Sequence, residues 1–210
     1  MQIRELDSFG RVRLSRHFFM RDFLYSEVAA KHGINNVPDD PDLAIATGKR
    51  LCTEVLEPIV SMFGPIAIRS GFRSAKLNEF ASAHRLQCAS NEKNFAYHIW
   101  DHRDVQGHSG AAACIVVPWV IDNLQQSRLD DFALFLHERL NYHRMVFFRS
   151  HATLNIGWHE APRREILSYW PKPRTVLRVG QAAQGSLSLE PNHMAPETYQ
   201  RPAGDLLFRS

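Results

Sequence analysis

The chain lacks a CxxC pair, an internal repeat and any uninterrupted apolar run of the roughly 18 residues that a membrane-spanning helix requires. Its 3 cysteines, Cys52, Cys88 and Cys114, cannot all pair, and a disulfide scaffold is out of keeping with a chain of 210 residues. Residues 1–8 do not have the charged-then-apolar layout of a secretory leader. These absences predict a protein without a membrane span, made in a reducing cytoplasm, whose export would need lysis, a carrier or incorporation into a particle. Charge of one sign is also scarce: 25 Lys and Arg stand against 22 Asp and Glu, a formal balance of +3. A dedicated nucleic-acid binder concentrates more positive charge on one face, so nucleic acid is not the expected partner.

Hydrophobic residues make up 44% of the chain, enough for one substantial core. Residues 15–33 read as a helical entry with Phe19, Phe23, Leu24 and Val28 near one face and Gly33 placed to stop it. Residues 42–63 form the clearest amphipathic helix, its stripe made by Leu43, Leu51, Val55, Leu56, Ile59 and Val60. Pro58 predicts a kink in its last part. A strand over 66–69 and a helix over 75–84 follow. Residues 95–100 and 111–117 read as strands paired in a hairpin around the polar stretch 101–107. The apolar run Cys114 to Val117 suits a strand covered on both faces. Helices around 119–125 and 130–140 come next, then strands over 145–148 and 152–156 across a Ser150-His151 turn.

Beyond Pro162 the text is irregular, and 181–210 is predicted as an extended tail without a core, ordered only against its own domain or a partner. The expected class is α+β: N-terminal helices packed on a small, mostly antiparallel sheet, one domain over 1–180 with the tail behind it. Arg163, Arg164, Lys172, Arg174 and Arg178, near Tyr169 and Trp170, read as a solvated face or a surface for an anionic polymer.

Residues 65–74 carry the strongest chemical signal. A short apolar strand with Ile66 and Ile68 runs into a turn at Gly71 that presents Arg69 and Arg73 beside Ser70 and Ser74. The planar guanidinium fork matches two carboxylate oxygens, which makes Arg73, with Ser70, a candidate substrate-binding group. Arg73 could equally tie the turn together, and Arg69 reads as structural or solvent-facing. Histidine is plentiful at 11 residues, so position must do the selecting. His98, Cys114 and His159, with His108 as an alternative, are the zinc-type side chains that fall on the predicted strands or at their ends.

A long helix ending Val55-Leu56-Glu57-Pro58, then Phe63-Gly64-Pro65-Ile66, then Ser70-Gly71-Phe72-Arg73-Ser74 with Leu77-Asn78 behind it, resembles the M15 group of zinc peptidases. These are D-alanyl-D-alanine carboxypeptidases and related peptidoglycan or endolysin enzymes with the hedgehog-type fold. The resemblance spans residues 14–160 and is most specific over 56–78. It implies two zinc ligands from a Ser-x-His-x-x-Gly-x-Ala-x-Asp motif, a third from a later His, a general base just before that His, and a carboxylate-holding role for Arg73. Gly110-Ala111-Ala112-Ala113-Cys114-Ile115 resembles the second half of the motif, with Cys114 standing where Asp would. Gly107 occupies the expected His position, so the resemblance leaves His98 or His108 as first ligand. His159 resembles the last ligand, but Ile156 holds the usual place of the base and Glu160 follows instead.

Cysteine binds zinc as a thiolate, yet in an apolar run without metal it stays a neutral thiol. The absent base is harder to replace, since a zinc-bound water needs a proton acceptor beside the scissile bond. Two expectations follow. The first is a catalytically impaired member of the fold that serves as a binding or assembly module, without cofactor. The second is an active zinc hydrolase of peptidoglycan peptides, with His98, Cys114 and His159 on the metal and Glu160 as base. The stretches Tyr97-His98-Ile99-Trp100-Asp101 and Asn155 to Arg164 are loosely similar to M15-like proteins of phage and phage-like gene-transfer particles. That similarity implies other particle subunits, or an envelope polymer such as peptidoglycan, as partners.

Overall fold

The computed structural model describes residues 3–86, 88–124, 128–148, 153–169 and 171–180. The expected tail over 181–210 and the Ser150-His151 turn lie outside them. The chain begins with α1 (Ile3–Gly10), a 3-10 turn at Met20–Phe23 and α2 (Glu27–His32). The single helix expected over 15–33 is thus two short pieces. The reason lies at its start, where Leu14 N–H turns back to the Phe18 carbonyl and Arg13 bridges Phe19, so the backbone there is spent on a tight loop. Phe18 and Phe23 are buried while Phe19 is 40% exposed. Gly33, at φ 64°, closes α2 in the left-handed conformation that glycine adopts without strain.

The long amphipathic segment is α3 (Pro41–Leu51), a π turn at Cys52–Leu56 and α4 (Glu57–Phe63) in unbroken succession. Asp40 caps it by accepting from Leu43 N–H at 3.0 Å. Pro58 has no N–H to give, and its ring crowds the carbonyl four residues back. The chain answers by widening one turn, with Glu57 N–H reaching the Cys52 carbonyl. Leu51, Val55, Leu56 and Ile59 are fully buried. Gly48 lets Trp100 lie against the helix, since a Cβ there would come within 2.9 Å of Trp100 Cζ3.

The helices pack on one mixed, six-stranded sheet with order β1-β2-β4-β3-β5-β6. Its strands are β1 (Ala67–Ser70), β2 (Gly110–Val116), β3 (Arg144–Phe147), β4 (Thr153–His159), β5 (Glu165–Ser168) and β6 (Arg174–Leu177). β3 and β5 run parallel, and the other neighbours are antiparallel. The molecule is therefore α+β, as expected. Four further helices lie between strands: α5 (Ala75–Ala83), α6 (Asn91–Asn94), α7 (Pro118–Asn123) and α8 (Leu129–Arg139).

Two expectations are corrected. Residues 95–100 are no strand, because β1 and β4 occupy both edges of β2. Asn94 instead bonds the Ala89 and Ser90 carbonyls, and Ala96 turns at φ 53°. The stretch after Pro162 is not wholly irregular either: β5 and β6 extend the sheet and bury Ile166 and Leu177. Among the described residues no helix is long and apolar enough to cross a membrane.

Alternation along the strands splits the sheet into two faces. Ala111, Ala113, Ile115, Leu154, Ile156 and Trp158 join the helices in the apolar core. On the reverse lie Gly110, Ala112, Cys114, Asn155, Gly157 and His159, under the irregular segment 94–102. A Cβ on Gly157 would sit 3.0 Å from Tyr97 Cε2. β2 is buried on both faces, as its apolar run predicts.

Candidate functional site

The reverse face holds two separate polar clusters. In the first, Ser70, Cys114 and Asn155 lie side by side across β1, β2 and β4. His98 is 5% exposed and sits against them. Its Nδ1 is 3.1 Å from the Gly71 carbonyl, which can only accept, so the ring proton is on Nδ1 and Nε2 accepts from Asn155 Nδ2 at 3.3 Å. Burial, helped by the nearby Arg73 charge, pushes His98 down to about 3, and the bond to Gly71 offsets this only in part. Burial likewise raises the Cys114 thiol to about 11, against the opposing pull of Arg69 and the Ser70 hydroxyl. His98 and Cys114 are thus a neutral ring and a neutral thiol.

The second cluster forms around His159, opposite Gly110 at the far end of the β2–β4 ladder. Cys114 lies four positions beyond Gly110, a distance of ~13 Å along a strand. His159 is 7% exposed. Its Nε2 lies 3.3 Å from Asp104 Oδ2, and its ring stacks on His143 with centroids 4.4 Å apart. The loop 104–108 is built to present that carboxylate: Asp104 Oδ1 accepts from the N–H groups of Gln106 and His108, at 2.9 Å each. Burial works against the charged form of Asp104, but these backbone bonds and the two histidines hold its carboxyl below the usual range. His108 Nδ1 is 3.7 Å from Asp104 Oδ2 and is buried without a hydrogen-bond partner. Burial, with the charges of His159, Arg163 and Arg144, pushes His143 down to about 3.

The structure therefore does not bring His98, Cys114 and His159 together. Among the described residues no group of three or more His, Cys, Asp or Glu side chains is placed to hold a metal ion. As folded, the positions that the M15 resemblance implies do not fit a zinc set, because one ligand is on a different row from the other two. Arg73 is half-buried, and its Nη1 donates to Asn78 Oδ1 at 3.1 Å and lies 2.7 Å from Cys88 Sγ. That engagement ties the turn to α5 and the segment behind it. Glu160 accepts from Ser109 N–H at 2.6 Å, and its own N–H returns to the Ser109 carbonyl, a clasp at the end of the β2–β4 ladder. The Ser109 bonds hold the Glu160 carboxyl below its ordinary range.

Asp104, His143 and Arg163 were not singled out for this site by the sequence. His143 precedes β3, and pairing of β3 with β4 is what sets it beside His159. Together with Lys93, Phe95, Tyr97 and Arg144 these residues line a cleft of about 440 Å³. Arg164, read as part of a basic face, is instead structural: at φ 55° it donates to the Leu140 and His137 carbonyls. Comparison with protein-family models, curated proteins and solved structures finds no match to this chain.

Proposed function

We propose that the chain is a divergent, catalytically impaired M15 peptidase-like protein that acts as a binding or assembly module. In this reading it is a spike or tail component of a phage-like particle, made in the cytoplasm, that meets the cell envelope. What supports it is the separation of the would-be metal ligands. Cys114 faces Asn155 while His159 faces Gly110, and both His98 nitrogens are engaged. A hydrolase needs an open coordination position and a free base at one point, and here Glu160 is taken up by Ser109. Fold does not dictate function, so a scaffold can persist as a recognition surface. Metal analysis of purified protein should find no stoichiometric zinc, and incubation with muropeptides should release no D-alanine. Zinc near one per chain together with D-alanine release would overturn the reading. Deleting 181–210 should abolish association with the partner while the domain stays folded.

One observation favours the alternative, an active zinc-dependent peptidoglycan peptidase. Asp104 Oδ2 lies between His159 Nε2 and His108 Nδ1 at 3.3 and 3.7 Å, and His108 Nδ1 has no hydrogen-bond partner. Asp104, His108 and His159 are not placed as a metal set as folded, but on this reading they would move together to hold an ion whose chemistry would be to activate a water. On that reading His108→Ala and His159→Ala would each remove both zinc and D-alanine release.

A further inference from the structure

The cleft beside His159 has an imbalance of polar groups. Its two acids have local partners. Asp104 Oδ1 is taken by two backbone N–H groups, with Oδ2 facing His159 and His108, and Glu92 is drawn to the Ser90 hydroxyl. Arg144 pairs with Glu165 at 3.1 Å. Lys93 and Arg163 are exposed on the rim, and among the described residues neither cationic head has a carboxylate partner. The two rim cations are the groups left without a charged complement, so the missing complement is an acceptor carrying negative charge. The remaining wall includes Phe95, Ala96 and the His143–His159 ring stack. A cleft of about 440 Å³ is of the size that takes small organic molecules.

We infer that this cleft binds a small organic molecule bearing an oxyanion, with Arg163 and Lys93 holding the oxyanion and the histidine stack flanking its body. The inference deepens the binding reading above and rests on it only for its biological use. A carboxylate or a phosphate would supply the same chemistry, and the test separates them. The full chain is titrated with inorganic phosphate and, separately, with acetate, each at fixed ionic strength, while the ring proton signals of His143 and His159 are followed by NMR. Saturable shifts are expected with at least one anion, and the one that saturates at lower concentration identifies the group. Arg163→Gln, at an exposed position, should weaken binding about tenfold, the loss of one charged hydrogen-bonding contact. Lys93→Gln should weaken it less, and the distant Lys49→Gln on α3 should leave it unchanged. Linear, unsaturable drift with both anions, or curves identical in Arg163→Gln, would remove the site. Release of D-alanine would overturn the non-catalytic reading and leave this site standing; a flat titration would do the reverse.

Discussion

The two faces of one sheet follow different rules. The helix-facing side of β2 and β4 carries Ala111, Ala113, Ile115, Leu154, Ile156 and Trp158, all apolar and all in the core. Two residues of β4 on the other side, Asn155 and His159, are polar, and small Gly110, Ala112 and Gly157 make room for the covering segment. Both sides are largely covered, with β2 buried along nearly its whole length and Asn155 of β4 half-buried. The first face is held by packing of shape and area. The second is held by directed bonds from His98, Asp104 and Glu160. Apolar area tolerates acid, whereas a buried neutral imidazole does not.

This contrast sets the expected order of effects. Trp158→Ala should be the costliest change, about 3–5 kcal/mol by chemical denaturation, since it empties a core site and frees the Glu54 carboxylate that Trp158 Nε1 meets at 2.9 Å. A loss under about 1 kcal/mol would mean that the helix-facing side is not the main source of stability. Acid comes next. His98 and His143 are held at about 3 in the folded chain, against an ordinary value near ~6.5. Between those limits the unfolded chain binds protons that the folded one refuses, so stability should fall as pH drops from about 6.5 toward 4.5. The slope is about 1.4 kcal/mol per pH unit for each histidine at full effect. In His98→Gln the slope should be clearly shallower; an unchanged slope would place the proton-sensitive group elsewhere.

Gly157→Ala should cost about 1–3 kcal/mol, because the new methyl meets Tyr97 Cε2 at 3.0 Å and the Ala111 carbonyl oxygen at 3.1 Å. A neutral result would show that the covering segment yields easily. The smallest effect is expected at Glu160→Gln, at most about 1 kcal/mol, since its side chain is 43% exposed and solvent screens the charge. Thermal melts of the two variants compare them directly.

The sequence made the apolar face legible and the polar face only in fragments. The helical stripe through Leu51, Val55 and Ile59 and the run ending in Val117 each carry their own periodicity, so packing could be read from single segments. The covering segment has no such period. Its shape comes from Asn94 side-chain bonds and a left-handed Ala96, and its apolar residues Ile99 and Trp100 mimic a strand. β5 and β6 are short, are flanked by Pro162, Pro171 and Pro173, and gain their order from β3 rather than from each other alone. His159 was picked correctly as the end of a strand. Its neighbours Asp104 and His143 were hidden because they reach it from distant loops, brought there by sheet pairing.

The widened turn at Cys52–Leu56 has a further consequence for how this chain can change length. Each residue of an α-helix advances the phase by about 100°. The wide turn takes up one residue more than a regular turn would, so deleting Thr53 would let the segment close into a regular helix while Ile59 and Phe63, now fully or nearly buried, keep facing the sheet. Inserting a further residue there would instead exceed what the turn absorbs and swing Ile59 and Phe63 toward solvent.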